Sequence, residues 1–401
     1  MDVTPTPSYR ALFAIPGLTR LVTSMLLARC AGQMVSLVVV LIALQRFGSA
    51  TVAGTATFLD VAPGLLASPI AGALLDRHGR ARLAVIDYVI AGCSLALIGA
   101  LATADALPVP LFLLIVAVSG TTRPLSNTGV RTLFPLIVPR ELWERANAVD
   151  SNGYAIASIF GPAAAGAIVA LLGPPAALFV VAAVFAAAAV AASGLRDPGP
   201  RGQGGALLAD AWQGARYVAR HPTLRSLAIS ISVANIGWGI FFIALPVLVL
   251  KRIGGDAAYV GNLFALLGIV GFFAVLAMGR ISTYGRERPL FAFAMLTQAL
   301  AFGMTIVGGG QPWLVAAAMV VLGVATGPFD VTLFTVRQRR TEPEWMGRAF
   351  AVSMALNFAG FPIGSAIAGA IVPISLEGAI GLAIAANFVA AYLAQQIPRE
   401  S

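Results

Sequence analysis

Four ionisable side chains stand inside stretches of sequence that are otherwise apolar. Arg29, Asp60, Arg123 and Asp330 each lie within a run of apolar residues long enough to cross a bilayer. A charge at that depth is costly unless it is paired or hydrated, so it marks either a structural ion pair or a route for ions and solutes. Arg29 and Asp60 lie at similar predicted depths, and we expect them either to fasten two helices together or to handle a solute or proton.

Three acids near the ends of apolar stretches need separate interpretations. Asp87 and Asp150 stand near the predicted starts of apolar stretches, and we expect them to have structural roles. Asp330 lies only a few residues from the end of its stretch. For that residue, a structural ion pair with Arg337 or with a neighbouring loop and a role in coupling are all open.

Asn235, Trp238 and Phe242 follow one another at helical spacings of three and four residues. This spacing places them on one face of a helix, with the indole near mid-depth. An amide beside two aromatic rings suits a bulky amphipathic solute, and it also suits ordinary helix packing. Both interpretations stay open.

Small residues and prolines recur at matching depths in two apolar stretches. Small faces let helices approach closely, whereas proline frees a backbone carbonyl and permits bending. These positions therefore indicate either close packing or a gating hinge. The residues are Gly161, Pro162 and Gly166 in the first stretch, and Pro362, Gly364 and Gly369 in the second.

Residues for metal, redox or phosphate chemistry are sparse. Cys30 and Cys93 lie in apolar stretches, while His78 and His221 lie far apart in predicted loops, so no metal-ligand spacing occurs. The phosphate-binding pattern Gly-x4-Gly-Lys-Ser/Thr is absent, which argues against ATP as the direct energy source. A membrane-embedded enzyme would need an acid, His or Ser cluster near one face, and none is visible. We expect no catalytic residue, metal or cofactor.

The composition is that of a membrane protein. Of 401 residues, 59% are hydrophobic and 11% charged, and the mean hydropathy is +0.88; a soluble domain carries roughly 25% charge. About twelve apolar stretches have spanning length. They lie near 21–45, 53–75, 82–102, 109–130, 148–171, 174–194, 226–250, 258–279, 289–308, 312–335, 349–373 and 376–395.

Basic residues concentrate in every second loop. Of 26 Lys and Arg, only Arg46, Lys251 and Arg252 fall on the opposite side, and only Arg29 and Arg123 fall within spans. Because Lys and Arg favour cytoplasmic loops, both termini are predicted to be cytoplasmic, in a multi-pass protein of the cell's inner membrane. The net charge of +9 has the same origin. No basic run interleaved with aromatic residues suggests nucleic acid as a partner.

The two halves of the chain are related by an internal repeat. Residues 145–169 align without a gap on 348–372, with eleven of 25 positions identical at a constant offset of 203. Each copy holds six spans, so the copies share one orientation. The predicted fold is all-α, with twelve transmembrane helices in two pseudo-symmetric six-helix bundles, 1–195 and 226–401. The connection 196–225 is predicted to be a cytoplasmic linker that contains an amphipathic helix.

One loop motif indicates which known family the repeat resembles. Gly72 is followed after three residues by Asp76-Arg77-His78-Gly79-Arg80, in the cytoplasmic loop between the second and third spans. This pattern resembles the signature of the major facilitator superfamily. A partial copy of the signature occurs in the second half, at Tyr284-Gly285-Arg286. Residues 138–147 and 217–222 make the chain most similar to bacterial exporters of siderophores and drugs in that superfamily.

The resemblance implies roles for particular residues. It implies that Gly72, Asp76, Arg77, Gly79 and Arg80 form a cytoplasmic gate that holds helix ends together until transport parts them. The first, fourth, seventh and tenth spans of the family surround a central cavity, so Arg123 is expected to face the solute route, and Asp330 lies in another of these spans. The family's antiporter motif places Gly four residues after that Arg, where this chain has Asn127, which leaves the coupling ion open.

The function implied is secondary active transport by alternating access. We expect efflux of a small amphipathic molecule, of drug or siderophore type, by a monomer. Coupling of this transport to protons is left open. Uptake or uncoupled facilitation of a small metabolite is an alternative, as is a transport-fold sensor without flux. The sequence does not identify the cargo, because the charged and aromatic residues of the spans suit anionic, zwitterionic or amphipathic molecules.

Overall fold

The computed structural model describes residues 8–195, 197, 207–308, 311–342 and 345–398. These residues form α-helices joined by short turns. The helices are Tyr9–Phe13 (α1), Leu18–Arg46 (α2), Ala50–His78 (α3), Arg80–Thr103 (α4), Val109–Ile137 (α5), Trp143–Ser193 (α6), Leu207–Arg220 (α7), Pro222–Val247 (α8), Ala257–Met278 (α9), Glu287–Val307 (α10), Pro312–Arg340 (α11), Met346–Ile371 (α12) and Leu376–Ala394 (α13).

Eleven helices within the described residues are long and apolar enough to cross a membrane. The longest, α6, is interrupted at Gly173, whose φ of 80° and ψ of 164° are not helical, and Pro174 and Pro175 follow directly. The two parts of α6 have roughly 30 and 20 residues, and each reaches across a hydrocarbon core at about 1.5 Å per residue. The all-α fold with about twelve spans is therefore confirmed.

The internal repeat also appears in the helix bounds. Both ends of α5 lie 203 residues before the corresponding ends of α11, and the start of α6 lies 203 residues before the start of α12. The same offset relates the aligned sequences of α6 and α12. The duplication that was inferred from identical residues therefore also appears in the positions of these helices.

The chain divides into two compact units that do not follow the repeat completely. Unit 1 comprises Met1–Val38 and Pro63–Leu207, and unit 2 comprises Val39–Ala62 and Leu208–Ser401. The second part of α2 and the first part of α3 therefore pack with helices from the other half of the sequence. No sequence pattern indicated this exchange, and the domain bounds 1–195 and 226–401 stay a prediction.

In unit 2, glycines allow α8 and α12 to pack with their backbones in contact. A Cβ atom on Gly360 would overlap the Ser232 carbonyl oxygen, and one on Gly364 would overlap the Ile236 carbonyl oxygen. Asn235 donates from Nδ2 to the Asn357 carbonyl oxygen at 3.0 Å. This is the close approach of small residues that membrane helices use where apolar burial alone provides little drive for association.

The linker helix α7 packs on unit 2 through aromatic and apolar contacts. The Tyr217 ring stacks on Trp345 with a centroid separation of 4.8 Å, and Val218 is buried in an apolar cluster. His221 caps α8 by accepting the Leu224 N–H on Nδ1. Burial lowers the pKa of His221, which keeps Nδ1 unprotonated at neutral pH and able to accept.

Replacement of Gly364 by Ala is expected to destabilise unit 2. The added methyl group must displace the α8 backbone, and overpacking of this kind costs about 1–3 kcal/mol. The measurement is the thermal unfolding midpoint of the purified protein in detergent.

Gly381→Ala is the matched control, because a Cβ atom there meets nothing within 4 Å. It is expected to leave the midpoint unchanged or raise it slightly, since a helical glycine costs backbone entropy. Equal midpoints for the two variants would show that the α8–α12 backbone contact does not constrain this position.

Candidate functional site

A polar cavity lies inside unit 1, among helices that are otherwise apolar. Its volume is about 190 Å³, and α2, α4, α5 and α6 supply its walls. Ten of its fifteen lining residues carry charged, amide, hydroxyl or phenol groups. The polar lining residues are Arg29, Gln33, Ser36, Asp87, Tyr88, Ser119, Arg123, Ser126, Asn127 and Tyr154.

Arg29 on α2 is fixed by α6. Its Nη1 donates to the Asp150 carbonyl oxygen at 2.8 Å, and its Nη2 donates to Asp150 Oδ1 at 2.5 Å. The guanidinium also lies over the Tyr154 ring, 3.6 Å from the centroid. Arg29 and Asp150 expose only 12% and 10% of their side chains, so their charges neutralise one another where little water reaches them.

The sequence around Asp150 explains this geometry. Asp150 and Tyr154 are four residues apart and share one face of α6. Between them, Gly153 leaves room for the guanidinium, since a Cβ atom there would lie 3.0 Å from Arg29 Nη1. Arg131 on α5 adds a second cation, with Nε 3.7 Å from Asp150 Oδ2 and 62% of its side chain exposed. Asp150 thus joins three helices.

Arg29 also borders a second cavity of about 160 Å³. Val22, Met25, Leu26 and Ile156 give this cavity mostly apolar walls. Unit 1 therefore offers a polar cavity and an apolar cavity that share one cationic side chain. Such an arrangement can hold a molecule with both polar and apolar parts.

Arg123 lines the polar cavity, and its place on a solute route stays a prediction. Asp87 on α4 lines the same cavity and is only 3% exposed. Arg123 acts electrostatically on the Asp87 carboxylate, and the hydroxyls of Ser126 and Thr122 lie beside it. The sequence assigned Asp87 and Asp150 structural roles; the structure shows Asp150 in an ion pair and places Asp87 in the cavity.

The gate motif lies at the junction of α3 and α4. Gly79 has a φ of 95°, which favours glycine, and Gly72 has open space at its Cβ position. Asp197 accepts the Arg80 backbone N–H at 2.6 Å, and its other oxygen lies 3.7 Å from Arg80 Nη1. The start of α4 is therefore capped by Asp197, an acid that lies beyond the end of α6. The Asp76 side chain lies outside the described residues, and Arg77 is exposed.

In unit 2, the predicted aromatic face makes ring contacts. Trp238 and Phe242 both approach Phe264 of α9, at centroid separations of 6.5 and 5.3 Å, and Phe242 also meets Phe361 at 5.5 Å. Both side chains remain partly exposed, while Asn235 bonds to the α12 backbone. These contacts fit helix packing and leave partly accessible rings, so the solute role of the three residues stays a prediction.

The two remaining intramembrane acids lie in unit 2. Asp60 on α3 is 3% exposed, and its pairing with Arg29 stays a prediction, although Arg29 has Asp150 as a partner. Among the described residues, the Asp330 carboxylate on α11 forms no ion pair with Arg337. Arg337 is fully buried instead beside Met354, with Nη1 2.7 Å from Sδ, because its side chain extends toward α12.

The small residues predicted to serve packing or bending are buried at helix contacts. Gly161 packs on α2, where an added Cβ atom would lie 2.6 Å from Gln33 Cβ. Pro162 and Gly166 are buried in α6, and Pro362 is buried in α12. The helices continue unbroken through Pro162 and Pro362. Gly364 packs on α8, and Gly369 packs on Thr51 of α3. Close packing therefore accounts for the glycines, while a hinge role stays a prediction.

The described side chains offer no cluster of three or more His, Cys, Asp or Glu that could hold a metal ion. What the cavity does offer is two guanidinium groups, one carboxylate, two phenols and several amide and hydroxyl groups. Groups of these types can bind and orient a solute or proton, and among the described residues of the cavity they do not form a nucleophile and base pair.

Comparison with known proteins agrees with the fold. A sequence model described as Major Facilitator Superfamily matches residues 21–365. The chain belongs to this superfamily. It is therefore a multi-pass membrane protein and a secondary transporter of small molecules, not an enzyme.

Individual relatives are similar over most of their length. An uncharacterized MFS-type transporter, y4rN, of Sinorhizobium fredii is 38% identical over 98% of both chains. The multidrug efflux pump Tap of Mycolicibacterium fortuitum is 28% identical over 88% of this chain and 86% of its own. A crystal structure of a mutant of the nucleoside transporter NupG superposes with a TM-score of 0.77 at 13% identity, covering 95% of this chain and 99% of that one.

Asp150→Asn is expected to lower the free energy of unfolding by about 3 kcal/mol, because it leaves the buried Arg29 guanidinium without its counter-charge. Thermal unfolding in detergent measures the loss. Adding Arg29→Met to Asp150→Asn should restore much of the stability, since both charges are then gone.

Asp256→Asn is the matched control. Asp256 caps α9 by accepting the Tyr259 N–H at 2.8 Å, and Asn serves that position about as well. If Asp150→Asn matched this control in stability, or if the double variant were less stable than the single one, the ion pair would not be the support assigned to it.

Proposed function

We propose that this protein exports a small amphipathic molecule across the inner membrane by alternating access. The observation that carries the proposal is the polar, partly cationic cavity inside the otherwise apolar unit 1. Charged side chains inside a membrane are costly, so a cavity that they line is by default evidence of a solute or ion pathway. The relative named a multidrug efflux pump supports export over uptake.

The amphipathic character of the cargo is inferred from what each unit presents. Unit 1 offers Arg29 and Arg123 in a polar cavity and an apolar cavity next to Arg29. Unit 2 offers the partly exposed rings of Trp238 and Phe242. Charged and polar groups orient one end of such a molecule, and aromatic and aliphatic surfaces bind the rest.

Contacts within unit 2 support the alternating-access part of the proposal. Thr51 Oγ1 on α3 donates to the Gly369 carbonyl oxygen on α12 at 2.7 Å, and Lys251 Nζ donates to the Gly48 carbonyl oxygen at 3.3 Å. A Cβ atom on Gly54 would overlap the Ser365 carbonyl oxygen. We call this set of contacts the outer seal. It joins first-half and second-half helices at the ends that the positive-inside rule places away from the cytoplasm.

An outward-open state requires the outer seal to separate. On the cytoplasmic side, the loop from Gly72 to Arg80 acts as the opposing gate, with Asp197 holding the start of α4. In this proposal, a proton or solute gradient supplies the energy for transport. Both termini are cytoplasmic. The monomer is the transporting unit.

Flux measurements test the proposal directly. Inside-out vesicles that contain the protein should accumulate at least one member of a panel of ethidium, erythromycin and a ferric siderophore. Arg123→Ala should reduce the accumulation strongly, because it removes a cation from the cavity wall. Asp60→Asn and Asp330→Asn test the other two intramembrane acids in the same assay.

Arg280→Ala is the control, since this exposed residue follows α9 and lies outside both cavities. Accumulation without a pH or solute gradient would indicate an uncoupled facilitator. Accumulation only in right-side-out vesicles would indicate uptake, and the absence of flux for every probe together with tight binding would indicate a sensor. Each of these results would contradict coupled export.

Gly54→Leu is expected to hold the outer seal open. The leucine side chain cannot fit against Ser365 and Gly369, so α3 must separate from α12 there. With Ala53→Cys as a buried reporter in a background of Cys30→Ser and Cys93→Ser, an impermeant maleimide added outside should label the variant several-fold faster than its parent.

Thr55→Leu places the same leucine side chain one residue further along α3, at a position that is only half-buried, and should leave the labelling rate near that of the parent. Size-exclusion profiles establish that both variants are folded. Equal labelling of the Gly54→Leu variant and its parent would remove the outer seal from the account.

A further inference from the structure

The cavity of unit 1 contains a buried carboxylate with an unsatisfied oxygen. Asp87 is 3% exposed, and its Oδ1 makes no hydrogen bond within the described part of the chain. The other buried acid beside the cavity, Asp150, is held by Arg29 and Arg131. A buried carboxylate oxygen without a hydrogen bond is costly at this depth when the acid is ionised, whereas a neutral carboxylic acid is better tolerated.

The hydroxyl groups beside Asp87 can serve both states of the acid. Thr122 Oγ1 lies 3.2 Å from the Ser119 carbonyl oxygen, and Ser126 Oγ lies 3.2 Å from the Arg123 carbonyl oxygen. Each hydroxyl has one hydrogen, which it can donate to its own helix or to an ionised Asp87, and lone pairs that can accept a hydrogen from a protonated Asp87.

The charged and titratable groups around Asp87 also provide for its ionised state. Arg123 of α5 is the nearby cation that acts on it, while Arg29 of α2 is engaged by Asp150. Tyr88 on the same helix and Tyr154 of α6 are the phenols that line the cavity. A shift of the Arg123 side chain toward Asp87 would stabilise the carboxylate after the proton leaves.

We propose that Asp87 is the site that binds the coupling proton, an inference that rests on the proposed transport function. The proton binds the carboxylate from water when the cavity opens to the outer side and leaves to water when the cavity opens to the cytoplasm. No other bond forms or breaks. Asp330 also makes no ion pair with Arg337, but it does not line this cavity.

Infrared spectroscopy detects this proton without requiring a known cargo. The purified protein in lipid vesicles is titrated with acid and base, and the carbonyl stretch of a protonated carboxyl group is followed by difference spectra. We expect a band that appears on acidification and is missing in Asp87→Asn. Asp87→Glu should restore a shifted band, and Asp330→Asn should leave the Asp87 band in place.

The second measurement is transport. It uses whichever of ethidium, erythromycin and a ferric siderophore the vesicles accumulate. Asp87→Asn should abolish the stimulation by a pH gradient while retaining exchange of labelled for unlabelled probe, and Asp87→Glu should restore part of the stimulation. A purely structural role for Asp87 would reduce exchange and gradient-driven flux together.

The possible results separate this inference from the function on which it rests. The Asp87 band without flux of any probe would leave the protonation site standing and contradict the proposed transport. Gradient-driven flux that Asp87→Asn retains in full, or the absence of an Asp87 band over the titration, would overturn Asp87 as the proton site and leave the transport proposal in place.

Discussion

The need to neutralise charge inside a bilayer determines the arrangement of unit 1. The Arg29 side chain lies within the first span, on α2. Its guanidinium is stabilised by the Asp150 carboxylate, the Asp150 carbonyl oxygen and the Tyr154 ring. Since these partners lie on α6, the ion pair fixes α2 against α6 and brings Arg131 of α5 to the same acid. The polar cavity exists because these helices meet at charged groups rather than at a packed apolar layer.

The two sequence halves carry different chemistry on the same framework. At the offset of 203, Arg29 corresponds to Ser232, Asp150 to Ser353, Tyr154 to Asn357 and Arg131 to Phe334. The charged cluster of the first half is therefore replaced by hydroxyl, amide and aromatic groups in the second. This difference between the halves supports the proposed amphipathic cargo.

Features that depend on local pattern were predictable from the sequence, and features that depend on tertiary pairing were not. Apolar runs of spanning length and the constant offset in residues 145–169 and 348–372 predicted the helices and the repeat, because hydropathy acts along each helix separately. The partner of Arg29 lies 121 residues away, and nothing local distinguishes Asp150 from other acids near helix starts. The same holds for Asp197, which caps α4 from beyond α6. Asp150 and Tyr154 are four residues apart, and this spacing could have placed them together on one helix face, but the sequence-based interpretation did not use it.

Labelling of the cavity from both faces of the membrane tests the central claim most directly. Asn127 is exposed and lines the polar cavity, so Asn127→Cys in a background without Cys30 and Cys93 reports on its access to water. The account predicts that an impermeant thiol reagent reaches this position from the cytoplasmic face and also from the outer face, with a balance that changes when a gradient is applied. Labelling from one face alone under every gradient would contradict alternating access to this cavity.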